Sequence, residues 1–222
     1  MDRAPRRGTA DLAPALDALP LFPLPQVVLM PGALLPLHVF EPRYRRMIRD
    51  VLDSHRALGI VQIIDAAALD RHGHPRIAEI AGAGTIVDAT ELPNGRFNIL
   101  VRGRARVRLR ELEFVAPYRR AQATVVDSTD EDVPSSAMAA LISAATAFVT
   151  LVKARDASFD FRMPKLSDVE TLADHCAQHL LIDGRDRQRA LETTSVAERV
   201  RIVTEVLALQ QLSLSGVRGI AN

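Results

Sequence analysis

The stretch "LPLFPLPQVVLMPG", Leu19 to Gly32, decides how this chain is read. It holds four prolines, no charge, and Gln26 as its one strongly polar side chain. Proline lacks an amide N–H and clashes with the preceding helical turn, so this density of proline excludes a helix. So apolar a run is also a poor solvated tail. What remains is an extended segment that packs. Pro20, Pro23 and Pro25 are expected to hold it extended and outside any central sheet, since proline cannot donate to a ladder. Leu21, Phe22, Leu24, Val27 and Val28 are expected to wedge into a core, with Pro31-Gly32 turning the chain onward. Some of this apolar surface is expected to stay open to a partner, and Phe22, Leu24 and Met30 are the candidates for polypeptide contact.

Working outward, the residues up to the acidic run "DSTDEDVPSS" (Asp127 to Ser136) are dominated by alternation. Ala33 to Phe40 and Ala57 to Ile64 read as strands buried on at least one face. "EIAGAGTIVDATEL" and "RFNILVRGRARVRLRELEF" flank Asn94-Gly95, a hairpin signal, and Tyr118 to Asp127 closes the set. One helix interrupts them. Pro42 suits its first position, where a missing N–H costs nothing. Tyr44, Met47, Ile48, Val51 and Leu52 then form an apolar stripe opposite Arg43, Arg45, Arg46 and Arg49. The expected class is α+β: a small antiparallel β-barrel with a covering helix, followed by a helical bundle. In the bundle, Ser135 or Ser136 can cap a helix to about Ala157, and "SDVE" (Ser167 to Glu170) and "SVAE" (Ser195 to Glu198) are capping-box patterns. "GRDRQRALE" suits a short helix between them. The expected boundaries are a disordered tail over 1–17, the barrel over 18–127, a linker over 128–134, the bundle over 135–215 and a tail over 216–222.

Composition bounds function. The chain has 222 residues, 48% hydrophobic, with formal net charge +1. Bulk charge therefore gives no nucleic-acid signal. The single cysteine, Cys176, excludes an internal disulfide and a cysteine-based zinc site. The N-terminal segment lacks an apolar core behind its basic residues, a poor signal peptide. No apolar run is expected to reach the roughly 18 residues of a membrane span. The expectation is a cytoplasmic protein without membrane attachment.

No motif announces a reaction. There is no GxSxG elbow, Walker A loop or GxGxxG. His175 and His179 have the i, i+4 spacing of metal ligands, but Cys176 stands where an HExxH site has glutamate and no third ligand is near. They read as the polar border of an apolar stripe, and His72 and His74 as a loop pair. No metal and no cofactor is expected. "GAGT", Gly82 to Thr85, reads as a bulged strand. The most unusual run is "RGRARVRLR": Arg102, Arg104, Arg106, Arg108 and Arg110 alternate, which places all five on one face of a strand. Same-face neighbours about 7 Å apart repel by only about 0.6 kcal/mol in water. A solvated ladder is therefore tolerable without a ligand, and it discourages edge pairing. The other reading is an anionic or RNA partner.

"LPLFPLPQVVLMPGALLPLHVFEPRYRRMI" resembles the opening of the Lon protease N-terminal, substrate-binding domain. Pro20, Leu21, Pro23, Pro31, Gly32, Leu37, Phe40, Glu41, Arg43 and Tyr44 match that family's pattern. "GTIVDATELPNGRFNILVRGRARVRL" resembles its second signature, and the helical half resembles its C-terminal bundle. The resemblance runs from about Leu19 to Leu214. It implies a PUA-like barrel followed by helices, and a module that binds polypeptide. No Walker motif and no Ser–Lys protease region accompanies it, so the ATPase and peptidase activities of full-length Lon do not carry over. The expected reading is a stand-alone, non-enzymatic binding module for a protein partner or exposed polypeptide, such as a proteostasis adaptor, with nucleic acid the alternative and oligomeric state open.

Overall fold

The computed structural model describes residues 9–129, 132–164 and 168–216. They form two compact units, Met1–Asp127 and Ser128–Asn222. The first carries β1 (Leu19–Leu24), β2 (Leu34–Val39), α1 (Pro42–Leu52), β3 (Ala57–Leu69), β4 (Pro75–Ile77), β5 (Ile80–Glu91), β6 (Phe97–Glu111) and β7 (Arg120–Val126). The strands run in the order β1-β7-β6-β5-β3, and a parallel β1–β3 pairing returns the path to its start. β4 extends from β3, and β2 pairs with the first half of β6. The barrel is not strictly closed: the β1–β7 seam rests on Leu19 with Ala121 and Pro20 with Arg120.

Two hydrophobic clusters fill this unit. One is built of small side chains, with Ala57, Ala81, Ala83, Ala105, Ala121 and Ala123 around Leu19, Leu21 and Val107. The other packs Tyr44, Met47, Ile48 and Val51 of α1 against Phe22, Leu58, Ile60, Phe97, Ile99 and Val101. β6 serves both. Its odd-numbered residues are buried from Phe97 to Val107, Phe97 to Val101 in the helix-capped cluster and Ala105 and Val107 in the other. The stripe predicted for α1 is the buried one, and Pro42 occupies the first turn. The Asn94-Gly95 turn is also found, but only Gly95 uses positive φ (+70°).

The opening stretch departs from expectation. Its first half, Leu19–Leu24, is a sheet strand despite Pro20 and Pro23. Alternation explains this. Leu21 N–H donates to Arg119 O, 2.9 Å, so odd-numbered amides of β1 point toward β7 and even-numbered ones toward β3. The missing amide of Pro20 faces β3 one residue before that ladder begins at Leu21 with Gly59. The missing amide of Pro23 faces β7 after that ladder has ended. Neither proline removes a hydrogen bond. The second half then crosses the sheet at its glycines. A Cβ built on Gly82 would land on the carbonyl oxygen of Leu29, and one built on Gly103 on that of Met30. The bulge expected at "GAGT" falls instead on the partner strand: Ala83 pairs with Ala105 and Gly84 with Gly103, so the extra residue is Arg104 of β6.

The tail expected over 1–17 needs correction from Thr9 onward; residues 1–8 lie outside the described residues. Ala13–Ala18 form a 3-10 helix, and Leu12 and Ala15 are buried in the alanine-rich cluster. Small side chains leave room in that cluster, and these two fill it.

The second unit holds α2 (Ser135–Lys153), α3 (Val169–Leu180), α4 (Gly184–Glu192) and α5 (Val196–Leu214). Ser195 caps α5 by accepting from Glu198 N–H, as its capping box predicts. The other caps differ. Asp168, rather than Ser167, caps α3 by accepting from Thr171 N–H, and Ser167 lies outside the described residues. Pro134 precedes α2, whose start has no side-chain cap, and α2 stops at Lys153 rather than near Ala157. Of the linker expected over 128–134, Ser128 is buried and Thr129 bridges to Ser195, so its start belongs to the helical unit. The tail expected over 216–222 lies, beyond Gly216, outside the described residues.

Candidate functional site

The segment that opens the barrel turns most of its apolar side chains inward. Phe22 is 5% exposed and Met30 fully buried; Leu24 is half-buried and packs against the helix-capped cluster. Of the three residues expected to meet polypeptide, Leu24 alone has side chain at the surface.

Accessible apolar surface appears one strand later. Among the described residues β2 pairs with β6 alone. Gly103 N–H donates to Ala33 O, 2.8 Å. By alternation Leu35, Leu37 and Val39 face their backbone groups to β6, while Leu34, Pro36 and His38 face theirs outward. That edge offers two N–H donors and three carbonyl acceptors; Pro36 supplies no donor there and blunts pairing with a long strand. At its end stands Phe40, 57% exposed, with Leu34 exposed at the other end. Phe40 is held in place. Its ring stacks on His38 at 6.3 Å, and His38 Nδ1 hydrogen-bonds Asn98 Oδ1 at 2.8 Å. The rest of the motif is structural. Gly32 takes φ +81° after Pro31, and Glu41 pairs with Arg43 at 2.9 Å. Arg43 lies over the Tyr44 ring at 4.6 Å, and Tyr44 packs on Phe22 with ring centroids 4.4 Å apart.

The five arginines of β6 share one face, but they are not one solvated ladder. Arg106 is 3% exposed. Arg104 is half-buried, donating to Thr85 Oγ1 at 2.8 Å and pairing with Asp11 at 3.1 Å. Arg108 lies 3.6 Å from Glu79, and Arg110 donates to Gln122 Oε1. Arg102 is exposed. Nothing in the alternating sequence distinguishes these five; the residues that engage them come from other strands and the N-terminal segment.

In the helical unit, the His175 and His179 rings lie 4.5 Å apart, tilted by 52°, and both approach the Phe161 ring. Among the described residues no group of three His, Cys, Asp or Glu is placed to hold a metal. Burial pushes the Cys176 thiol up to about 12, so it stays protonated through neutral pH. Native protein at pH 8 is therefore expected to leave Cys176 unmodified by iodoacetamide and to react only after denaturation. The sequence missed Arg199, fully buried in this unit, which donates to Asp174 Oδ1 (3.1 Å), Ser128 Oγ (2.9 Å) and the carbonyl of Thr193 (2.8 Å). Ser135–Lys153 is long and apolar enough to cross a membrane, by length and composition alone. Ser143, Thr146 and Thr150 interrupt its apolar run, as expected, although no charge does so before Lys153.

Residues 18–208 match the model of the substrate-binding domain of the ATP-dependent protease La (Lon). The Lon protease of Heliobacterium modesticaldum is 28% identical over 197 residues, 87% of this chain and 24% of that protein. That of Roseiflexus castenholzii is 30% identical over 201 residues, 86% of this chain and 24% of the relative. The chain thus spans about a quarter of the length of these relatives. Among solved structures, the N-terminal domain of Mycobacterium avium complex Lon protease superposes with a TM-score of 0.63 at 18% identity, covering 86% of this chain and 98% of that one. A Lon N-terminal domain protein from Xanthomonas campestris gives 0.62 at 22% identity, covering 86% and 97%. These two share the fold. With the family model matched along most of its length, this chain belongs to the Lon substrate-binding domain family.

Proposed function

We propose that this chain is a non-enzymatic polypeptide-binding module that takes exposed, extended apolar segments along the open edge of β2 and against Phe40. Membership of a substrate-binding domain family supports a protein-binding role, and the observation that carries the site is a large aromatic side chain left 57% exposed beside unpaired strand backbone. An added strand would draw on the outward backbone groups of Leu34, Pro36 and His38, with alternate side chains meeting Leu34 and Phe40. Each buried apolar side chain contributes about 1.5–3 kcal/mol before ordering costs, so binding is weak and tolerant of sequence. That suits an adaptor presenting unfolded protein.

The test is anisotropy with a labelled unfolded polypeptide. Phe40→Ser is expected to weaken binding about tenfold while changing stability by less than about 0.5 kcal/mol, as for an exposed side chain. Met30→Ala is expected to cost about 2–5 kcal/mol of stability, as for a fully buried methionine. Unchanged binding by Phe40→Ser would remove this site. Exposed Arg102 favours a second reading, RNA or anion binding on β6, with Arg104, Arg106, Arg108 and Arg110 already engaged or buried. Steeply salt-dependent RNA binding, lost in Arg102→Glu, would favour it.

A further inference from the structure

A second feature of the barrel unit has the chemistry of a ligand site. A cleft of about 470 Å³ lies between α1 and the segment leading into β7, lined by Arg46, Asp50, Val115, Pro117, Tyr118 and Arg120. Both oxygens of Asp50 are used. Arg46 Nε pairs with Oδ1 at 2.9 Å, and Tyr118 donates its hydroxyl to Oδ2 at 3.0 Å. Arg46 and Asp50 thus cancel. Arg120 lines the same cleft, and among the described residues its guanidinium has no hydrogen-bond or ion-pair partner. The cleft therefore carries one cation in excess. Val115 and Pro117 line the same cleft; Val115 is exposed, 59% of its surface open, and Pro117 is exposed too.

A fork of fixed N–H donors beside an apolar wall selects an anion with an apolar group attached close to it. The Tyr118 oxygen, having donated its proton to Asp50, keeps lone pairs that accept an N–H. The volume falls in the range that encloses a small ligand, here one or two residues. We propose that this cleft binds the C-terminal residue of a polypeptide: its α-carboxylate on Arg120, its amide N–H on the Tyr118 oxygen, and an apolar side chain against Val115 and Pro117. This rests on the polypeptide-binding reading and adds to it a preference for free C-termini ending in an apolar residue.

The test uses the full chain and a fluorescein-labelled peptide ending in leucine, as the free acid and as the C-terminal amide. The free acid is expected to bind about tenfold tighter, the scale of one charge-assisted hydrogen-bonded contact. Arg120→Gln is expected to erase that difference while leaving the amide's affinity and the thermal midpoint unchanged. N-acetyl-leucine serves as competitor. Displacement only at far higher concentration than the unlabelled peptide supports a polypeptide terminus; displacement at equal concentration assigns the cleft to free apolar acids and overturns the terminus. Equal binding of acid and amide overturns the proposal and leaves the polypeptide reading intact. Failure of both forms to bind overturns both.

Discussion

Arg199→Ala is expected to destabilise the helical unit by about 3–5 kcal/mol, the range for removing one partner of a buried ion pair. The reason lies in what is left behind. Arg199 has no exposed surface and Asp174 almost none. The guanidinium donates to Asp174, to Ser128 and to the carbonyls of Thr193 and Thr194, with Glu170 Oε1 3.6 Å away. Its removal takes the ion-pair partner from a buried carboxylate and a donor from buried acceptors, and each such loss costs about 1–3 kcal/mol. That is a large share of the 5–15 kcal/mol by which domains are stable. The check is urea denaturation followed by circular dichroism, with Asp174→Leu and the double variant Arg199→Met/Asp174→Leu alongside. The double variant is expected to lose less than the sum of the single changes, because it removes both charges of the Arg199–Asp174 pair and strands neither. A loss under about 0.5 kcal/mol for Arg199→Ala would contradict the account.

Gly82→Ala and Gly103→Ala are expected to cost about 3 kcal/mol each, the upper end for overpacking. In both, the new methyl meets a backbone carbonyl, of Leu29 and Met30 respectively, rather than the end of a movable side chain. Either the crossing segment lifts or the strands part. Gly59→Ala is the control. Its methyl would meet the Cδ2 atoms of Leu19 and Leu21 at 3.1 and 3.2 Å, which can turn aside, so about 1 kcal/mol is expected. Thermal unfolding of the three variants reads the order directly. Equal losses at all three would mean that the crossing of residues 29–30 over the sheet is not what requires glycine.

The same comparison marks what sequence reasoning could reach. Periodicity found α1 and its buried stripe, because Tyr44, Met47, Ile48 and Val51 carry their pattern locally. Asn94-Gly95 gave the hairpin for the same reason. What escaped was set by distant partners. Pro20 and Pro23 argue against a strand until the extents of the two flanking ladders are known. Leu12 and Ala15 look like tail until the small side chains of β3, β5, β6 and β7 leave space for them. The candidate site divides in the same way. The sequence indicated that this region carries open apolar surface, but placed it on Phe22, Leu24 and Met30. Apolarity alone cannot distinguish a buried Met30 from an exposed Phe40; that depends on where the chain crosses the sheet. Arg199 reads as one more charge on a helix until Asp174, 25 residues earlier, is brought against it.

The central claim, polypeptide held along the open edge of β2, is tested most directly by amide hydrogen exchange with and without a saturating unfolded polypeptide. Strand addition should slow exchange at Leu34 and His38, the outward-facing amides of β2, and leave Leu35 and Leu37 little changed, since those already face β6. Saturated binding that leaves Leu34 and His38 exchanging at their free rates would contradict the account.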